Sequence, residues 1–336
     1  MPTTTPEDLV YARLTRPRRP PVLRTLLSLA LAVLLIGVVL PWLLDVSWPQ
    51  ILRVVGAADP LLVGVMVLVG AGTLLCEVGA LRAAMLPLRG AEALRLGTAL
   101  QALALAVPGG GPIGIAALLV AVRRRGVSVA DALTGVAILS LMDLLLSSLL
   151  PLVGAVALTI ADAGPLWLRL VLAVSGVLGL GLGGAVLALL LRPGSLDGVL
   201  ARLEFLPPES ARELVRTQQF RSRRLLAEHG LAVAGLPVAS RLLQLVAWFL
   251  ALAATGVAVG PAAAIGVFAL GRSLAQLPLT PGGTGITEAA SAAALSTLGV
   301  DAAEAAAASL LPSLALVVLP LVLGAFTAPT LLRRER

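Results

Sequence analysis

The sequence predicts an all-α polytopic membrane protein with six full spans and two re-entrant broken-helix hairpins in an inverted repeat. Three observations lead there. Hydrophobic residues make up 58% of the 336 and charged residues 13%, about half the roughly 25% of soluble domains. Mean hydropathy is +1.00, too apolar for a water-facing surface. Two apolar stretches are each cut by a Pro/Gly cluster, and the cuts lie about 173 residues apart.

A span needs roughly 20 apolar residues. Segments 25–44, 60–81, 132–158, 167–191, 233–258 and 306–330 qualify. The first is too long for a signal-peptide core of about 7–15 residues and lacks a small-residue cleavage site. It reads as a retained span behind an Arg-rich tail, residues 1–24.

Stretch 93–122 is cut by Pro108, Gly109, Gly110, Gly111 and Pro112. Stretch 262–299 is cut by Pro278 and by Pro281, Gly282, Gly283, Thr284 and Gly285. Proline removes a helical hydrogen bond, and each glycine costs about 1 kcal/mol in a helix. Arms 93–107 and 113–122 would reach about 22 and 15 Å, short of a core of about 30 Å. Broken backbone at membrane depth is tolerated where it is buried in protein or lines a cavity. Both stretches are therefore expected to enter the membrane and return.

All 25 basic residues are Arg. The positive-inside rule puts 21 of them in the cytoplasm: the tail, 82–95, 123–125, 192–224 and the last four residues. Both termini are expected on the cytoplasmic side of a plasma membrane. Hairpin 93–122 then opens to the cytoplasm and hairpin 262–299 to the exterior. Residues 25–160 form repeat one. Residues 161–331 form repeat two, with a cytoplasmic loop at 192–229 that could lie on anionic lipid. Spans and breaks recur at offsets of about 172–175 residues with opposite direction. Such repeats point to a binding site at mid-membrane.

The counts also exclude. One Cys (Cys76) and one His (His229) cannot form a disulfide or an ordinary zinc site. No phosphate-binding Walker loop occurs, and aromatics at 3% are too few for nucleic-acid stacking platforms. No cofactor, metal, catalytic residue or nucleic-acid partner is expected. The +7 charge is mostly an orientation signal.

What remains is polar residues in apolar surroundings. A half-helix starting near Thr284 or Gly285 presents free N–H groups to an anion. Glu288, in its first turn, either caps that helix or acts as an intramembrane carboxylate for a proton or an amine. Arg272 and Gln276, four residues apart, share one face. Arg272 is read as contacting a lipid phosphate or pairing with Glu288. Asp143 sits near mid-span. Arg241 is close enough to an end to snorkel, and Glu77 reads as interfacial. The expected headgroup site is Pro281, Gly282, Gly283, Thr284, Gly285, Glu288, Arg272, Gln276, Pro108, Gly109, Gly110, Gly111 and Asp143.

The string LPLTPGGTGITEAA resembles the Pro-Gly-Gly-x-Gly-x-x-Glu signature of the lysylphosphatidylglycerol synthase transmembrane-region family, also called flippase-like domain proteins. Pro281, Gly282, Gly283, Gly285 and Glu288 match it. PGGGPIGIAALLVAVRRRGVSVADAL, followed by SLMDLLL, is similar to the family's earlier break and Asp-bearing helix. Ile115 stands where members often carry an acid, and the last span lacks their Arg or Tyr. The chain ends about six residues after its last span, so the resemblance implies the flippase-like half without the aminoacyl-transferase domain. It implies a membrane lipid as partner, an anionic phospholipid or lipid-linked saccharide to be bound or translocated. The alternatives are a non-transporting membrane partner of a separate cell-envelope lipid or glycan enzyme, and a membrane-embedded glycosyl or aminoacyl transferase relative.

Overall fold

The computed structural model describes residues 22–85, 88–106, 110–123, 127–192, 208–277 and 279–332. The expectations for the Arg-rich tail, for Arg124 and Arg125, and for Pro108 and Gly109 lie outside the described residues, apart from residues 22–24 of the tail. No strand occurs among the described residues. Among the described residues, six helices are long and apolar enough to cross a membrane: Leu26–Leu44, Pro60–Ala84, Val129–Ile160, Leu166–Leu191, Arg216–Ala254 and Ala302–Thr327. The chain is an all-α polytopic membrane protein.

Helix α1 (Val22–Leu34) passes through a π-turn at Leu35–Val39 into α2 (Leu40–Leu44). The turn has a local cause. Pro41 has no N–H for the Gly37 carbonyl four residues back, and the Trp48 indole donates to that carbonyl at 2.9 Å. Asp45, in the left-handed region at φ 52°, ends the span. The connector that follows is itself helical: α3 (Trp48–Ala57) has Pro49 in its first turn, with Gln50 accepting from the Ser47 N–H at 2.7 Å.

Helix α4 (Pro60–Ala84) is capped by Asp59, whose carboxylate accepts from the Leu61 N–H at 2.8 Å. Next come α5 (Gly90–Ala106), α6 (Gly110–Arg123), α7 (Val129–Ile160) and α8 (Leu166–Leu191). Helix α6 takes in Gly110, Gly111 and Pro112, where a helix start at 113 was expected. A first turn needs no N–H donors, so proline is tolerated there.

Helix α9 (Pro208–Ala254) has 47 residues, about 70 Å at 1.5 Å per residue. The sequence predicts a loop through residue 229. Instead, residues 208–229 are the start of this helix, because they contain no interior breaker. Residues 193–207 lie outside the description. Helices α10 (Pro261–Leu274) and α11 (Ile286–Thr297) flank the second break, which holds a 3-10 turn at Pro281–Gly283. The last span is α12 (Ala302–Ser313), a second π-turn at Leu314–Val318, and α13 (Leu319–Leu332).

The bundle has two ends. The Asp59 N–H donates to the Ala254 carbonyl at 3.1 Å, so α4 begins where α9 finishes. Turns 161–165 and 298–300 lie at this Asp59 end, since Leu298 packs both on the Ala163 cluster and on the Trp248 cluster. At the opposite end Arg221 pairs with Asp131 at 3.0 Å and Gln219 donates to the Leu189 carbonyl at 2.8 Å. Leu88, Val127 and Val233 share a core there. Hairpin α5–α6 opens to the Asp131 end and hairpin α10–α11 to the Asp59 end.

Small residues set the spacing between helices. A Cβ on Gly324 of α13 would lie 2.1 Å from that of Ala102 on α5, and one on Gly70 would lie 2.7 Å from the Ala315 carbonyl oxygen. In lipid, where association gains little from hydrophobic transfer, such close backbone approach supplies the packing. Helix α4 lies along α9 at the centre, α5 along α13 and α10 along α7.

Candidate functional site

The break between α10 and α11 is built by three glycines. Gly282, Gly283 and Gly285 have φ of 59°, 76° and 90°, a region costing other residues about 1–2 kcal/mol each. Side chains are also excluded by space. A Cβ on Gly283 would lie 2.5 Å from Ala275 Cα, and one on Gly285 would lie 2.9 Å from Leu35 Cβ. The first π-turn therefore packs on the start of α11.

Glu288 holds this turn. It is 3% exposed. One carboxylate oxygen accepts from the Gly285 N–H at 2.6 Å, and the other accepts from Ser313 Oγ. The geometry gives the cap. No Arg272–Glu288 ion pair occurs among the described residues, so that pairing is corrected.

The break points into a cavity of about 290 Å³ at mid-bundle. Its polar wall carries Glu77 from α4, Gln101 from α5, Asp143 from α7, Arg241 and Gln244 from α9, Arg272 from α10 and Gln276 beyond it. Gly282 closes one side, and a Cβ there would meet Leu105 Cδ2 at 2.7 Å. The last turn of α5 thus touches the second break. Arg241 and Asp143 form an ion pair at 2.5 Å. Arg241 also donates to Gln244 Oε1 at 3.0 Å. Ser240 donates to Glu77 at 3.0 Å, and Gln276 donates to the Ser147 carbonyl at 3.2 Å. Among the described residues, Arg272 Nε, Thr280 Oγ1 and Ser309 Oγ are buried without a hydrogen-bond partner.

Behind this cavity lies a smaller one of about 70 Å³, lined by Glu288, Thr284, Thr287, Ser309 and Ser313, with Arg272, Gln244 and Gly282 on both walls. Of the expected residues, the structure brings Asp143, Arg272, Gln276 and Gly282 together. Thr284 and Glu288 stand one layer behind, and Gly283 and Gly285 shape the backbone. Gly110 and Gly111 open α6.

Three wall residues were undervalued or missed. Arg241 does not snorkel but turns inward to Asp143, and Glu77 faces the cavity instead of the interface. Gln101 was overlooked, although a Gln inside an arm too short to span was a usable signal. The two carboxylates and two guanidiniums on the wall balance in charge. One pair is satisfied, and Arg272 is left with a donor to offer. That arrangement can bind a group carrying an anionic oxygen within an apolar bundle.

No curated protein matches the chain. Its length from residue 26 to residue 324, both hairpins and the cavity included, matches the lysylphosphatidylglycerol synthase TM region, and the chain belongs to that family.

Proposed function

We propose that the chain binds an anionic phospholipid or lipid-linked headgroup in the mid-bundle cavity and carries it across the membrane. The carrying observation is Arg272, whose Nε is buried without a partner and whose side chain lines the polar cavity that the second break faces. A charged group inside a membrane costs at least about 2.5 kcal/mol and marks a functional site by default. Arg272 holds the anionic oxygens, while Asp143 and Glu77 set the opposite charge beside them for an amine or a proton. Glu288 fixes the turn.

The two halves act as an inverted repeat whose hairpins open to opposite faces. Supporting this, α5 of the first half packs on α13 of the second, and α10 of the second packs on α7 of the first. The Arg-rich Asp131 end faces the cytoplasm of a plasma membrane, as the positive-inside rule supports. Translocation breaks no bond, so the reading assigns no catalytic residue.

The test is transfer of head-labelled phosphatidylglycerol between leaflets of proteoliposomes. The wild-type chain should exceed protein-free vesicles, and Arg272→Gln should lose at least tenfold of that excess. Wild-type transfer no faster than protein-free vesicles overturns the reading and favours a non-transporting partner.

A further inference from the structure

A third cavity adjoins the mid-bundle one. It measures about 250 Å³ and lies inside the first hairpin, between Val78 of α4, Leu100 of α5, Ile115 and Leu118 of α6, and Leu139 of α7. Its charged or amide lining side chains are Glu77 and Gln101, which also line the mid-bundle cavity. The two spaces thus share one wall, polar on one side and apolar on the other. Apolar cavities stay dry and take apolar ligands. At about 250 Å³ the apolar space has room for several methylene groups. Gly114 keeps it open, because a Cβ there would meet only the Leu100 carbonyl, at 3.9 Å.

We infer that this cleft holds part of one acyl chain of the ligand whose headgroup occupies the polar cavity. Glu77 and Gln101 mark the boundary between head and tail. The inference rests on the headgroup reading above and adds a chain-length requirement at a named place. A headgroup alone leaves the apolar space empty, and a hydrocarbon alone leaves Arg272 unpartnered. An amphiphile fills both.

The test compares two probes with one headgroup, dioleoyl and diacetyl phosphatidylglycerol, binding to the purified full chain. Wild type should bind the dioleoyl lipid at least tenfold more tightly. Gly114→Leu fills the cleft and should abolish that preference, with the short-chain lipid bound within twofold of wild type. Leu139→Trp, from the opposite wall, should do the same and decides the matter if Gly114→Leu does not fold. An unchanged preference in both variants, or equal weakening of both lipids, overturns the inference while leaving the headgroup reading standing. Failure of wild type to bind either lipid overturns both.

Discussion

Arg272 occupies the last turn of α10, where the helix dipole favours a cation by about 0.3–1 kcal/mol. Against that stands a buried Nε with no partner. An unpaired buried donor costs about 1–3 kcal/mol, more when charged, so desolvation outweighs the dipole. Arg272→Met should therefore raise the thermal unfolding midpoint by the equivalent of about 1 kcal/mol or more while transfer is lost. A lowered midpoint would mean that the guanidinium is structurally satisfied. Glu288 is the converse case, since both its oxygens accept from the protein. Glu288→Ala strands the Gly285 N–H and Ser313, and should cost about 1–3 kcal/mol in thermal or denaturant unfolding. Glu288→Gln can accept from Gly285 and donate to Ser313, so it should cost less than about 1 kcal/mol. Transfer by that variant then isolates the charge from the cap.

At the scale of elements, the Gly282–Gly285 turn is set by conformation and by space, and the two can be separated. Gly256 also has φ 76°, but a Cβ there meets nothing within 4 Å. Gly256→Ala should cost only the left-handed penalty of about 1–2 kcal/mol. Gly283→Ala, at the same φ but against the Ala275 backbone, should cost measurably more. Equal losses in thermal unfolding would show that the turn relaxes away from α10. Span positions and the second break were legible because apolar length and Pro/Gly chemistry act locally. The extent of α9 was not, because an Arg-rich polar stretch with good helix formers carries no apolar signal to separate helix from loop. Nor was the inward turn of Arg241 and Glu77: chain position gives depth along a helix, while the face presented depends on its neighbours. The π-turns had an unread signal. Pro41 and Pro320 each follow a turn by two residues, and Pro320 has no N–H for the Leu316 carbonyl four residues back, on the cavity wall.

At the scale of the molecule, the two hairpins open to opposite ends and touch at Leu105 and Gly282. If the bundle works by rocking one half against the other around a fixed central site, this contact must open and close in each cycle. The headgroup cannot pass while Leu105 and Gly282 close on the same cavity. Tethering the contact should therefore stop transfer without disturbing binding. The experiment places Cys at Leu105 and Gly282 in a Cys76→Ser background, which removes the native thiol. Cys at residue 282 carries the left-handed cost of about 1–2 kcal/mol, but replacing Leu105 removes the atom its Cβ would strike. Joining the pair with a short bismaleimide should lower transfer at least tenfold relative to the untreated double variant. Each single variant treated alike should keep its untreated rate, and binding of dioleoyl phosphatidylglycerol should stay within twofold. Full transfer by the cross-linked chain would show that the tips move as one body, and the rocking of one half against the other would have to be abandoned.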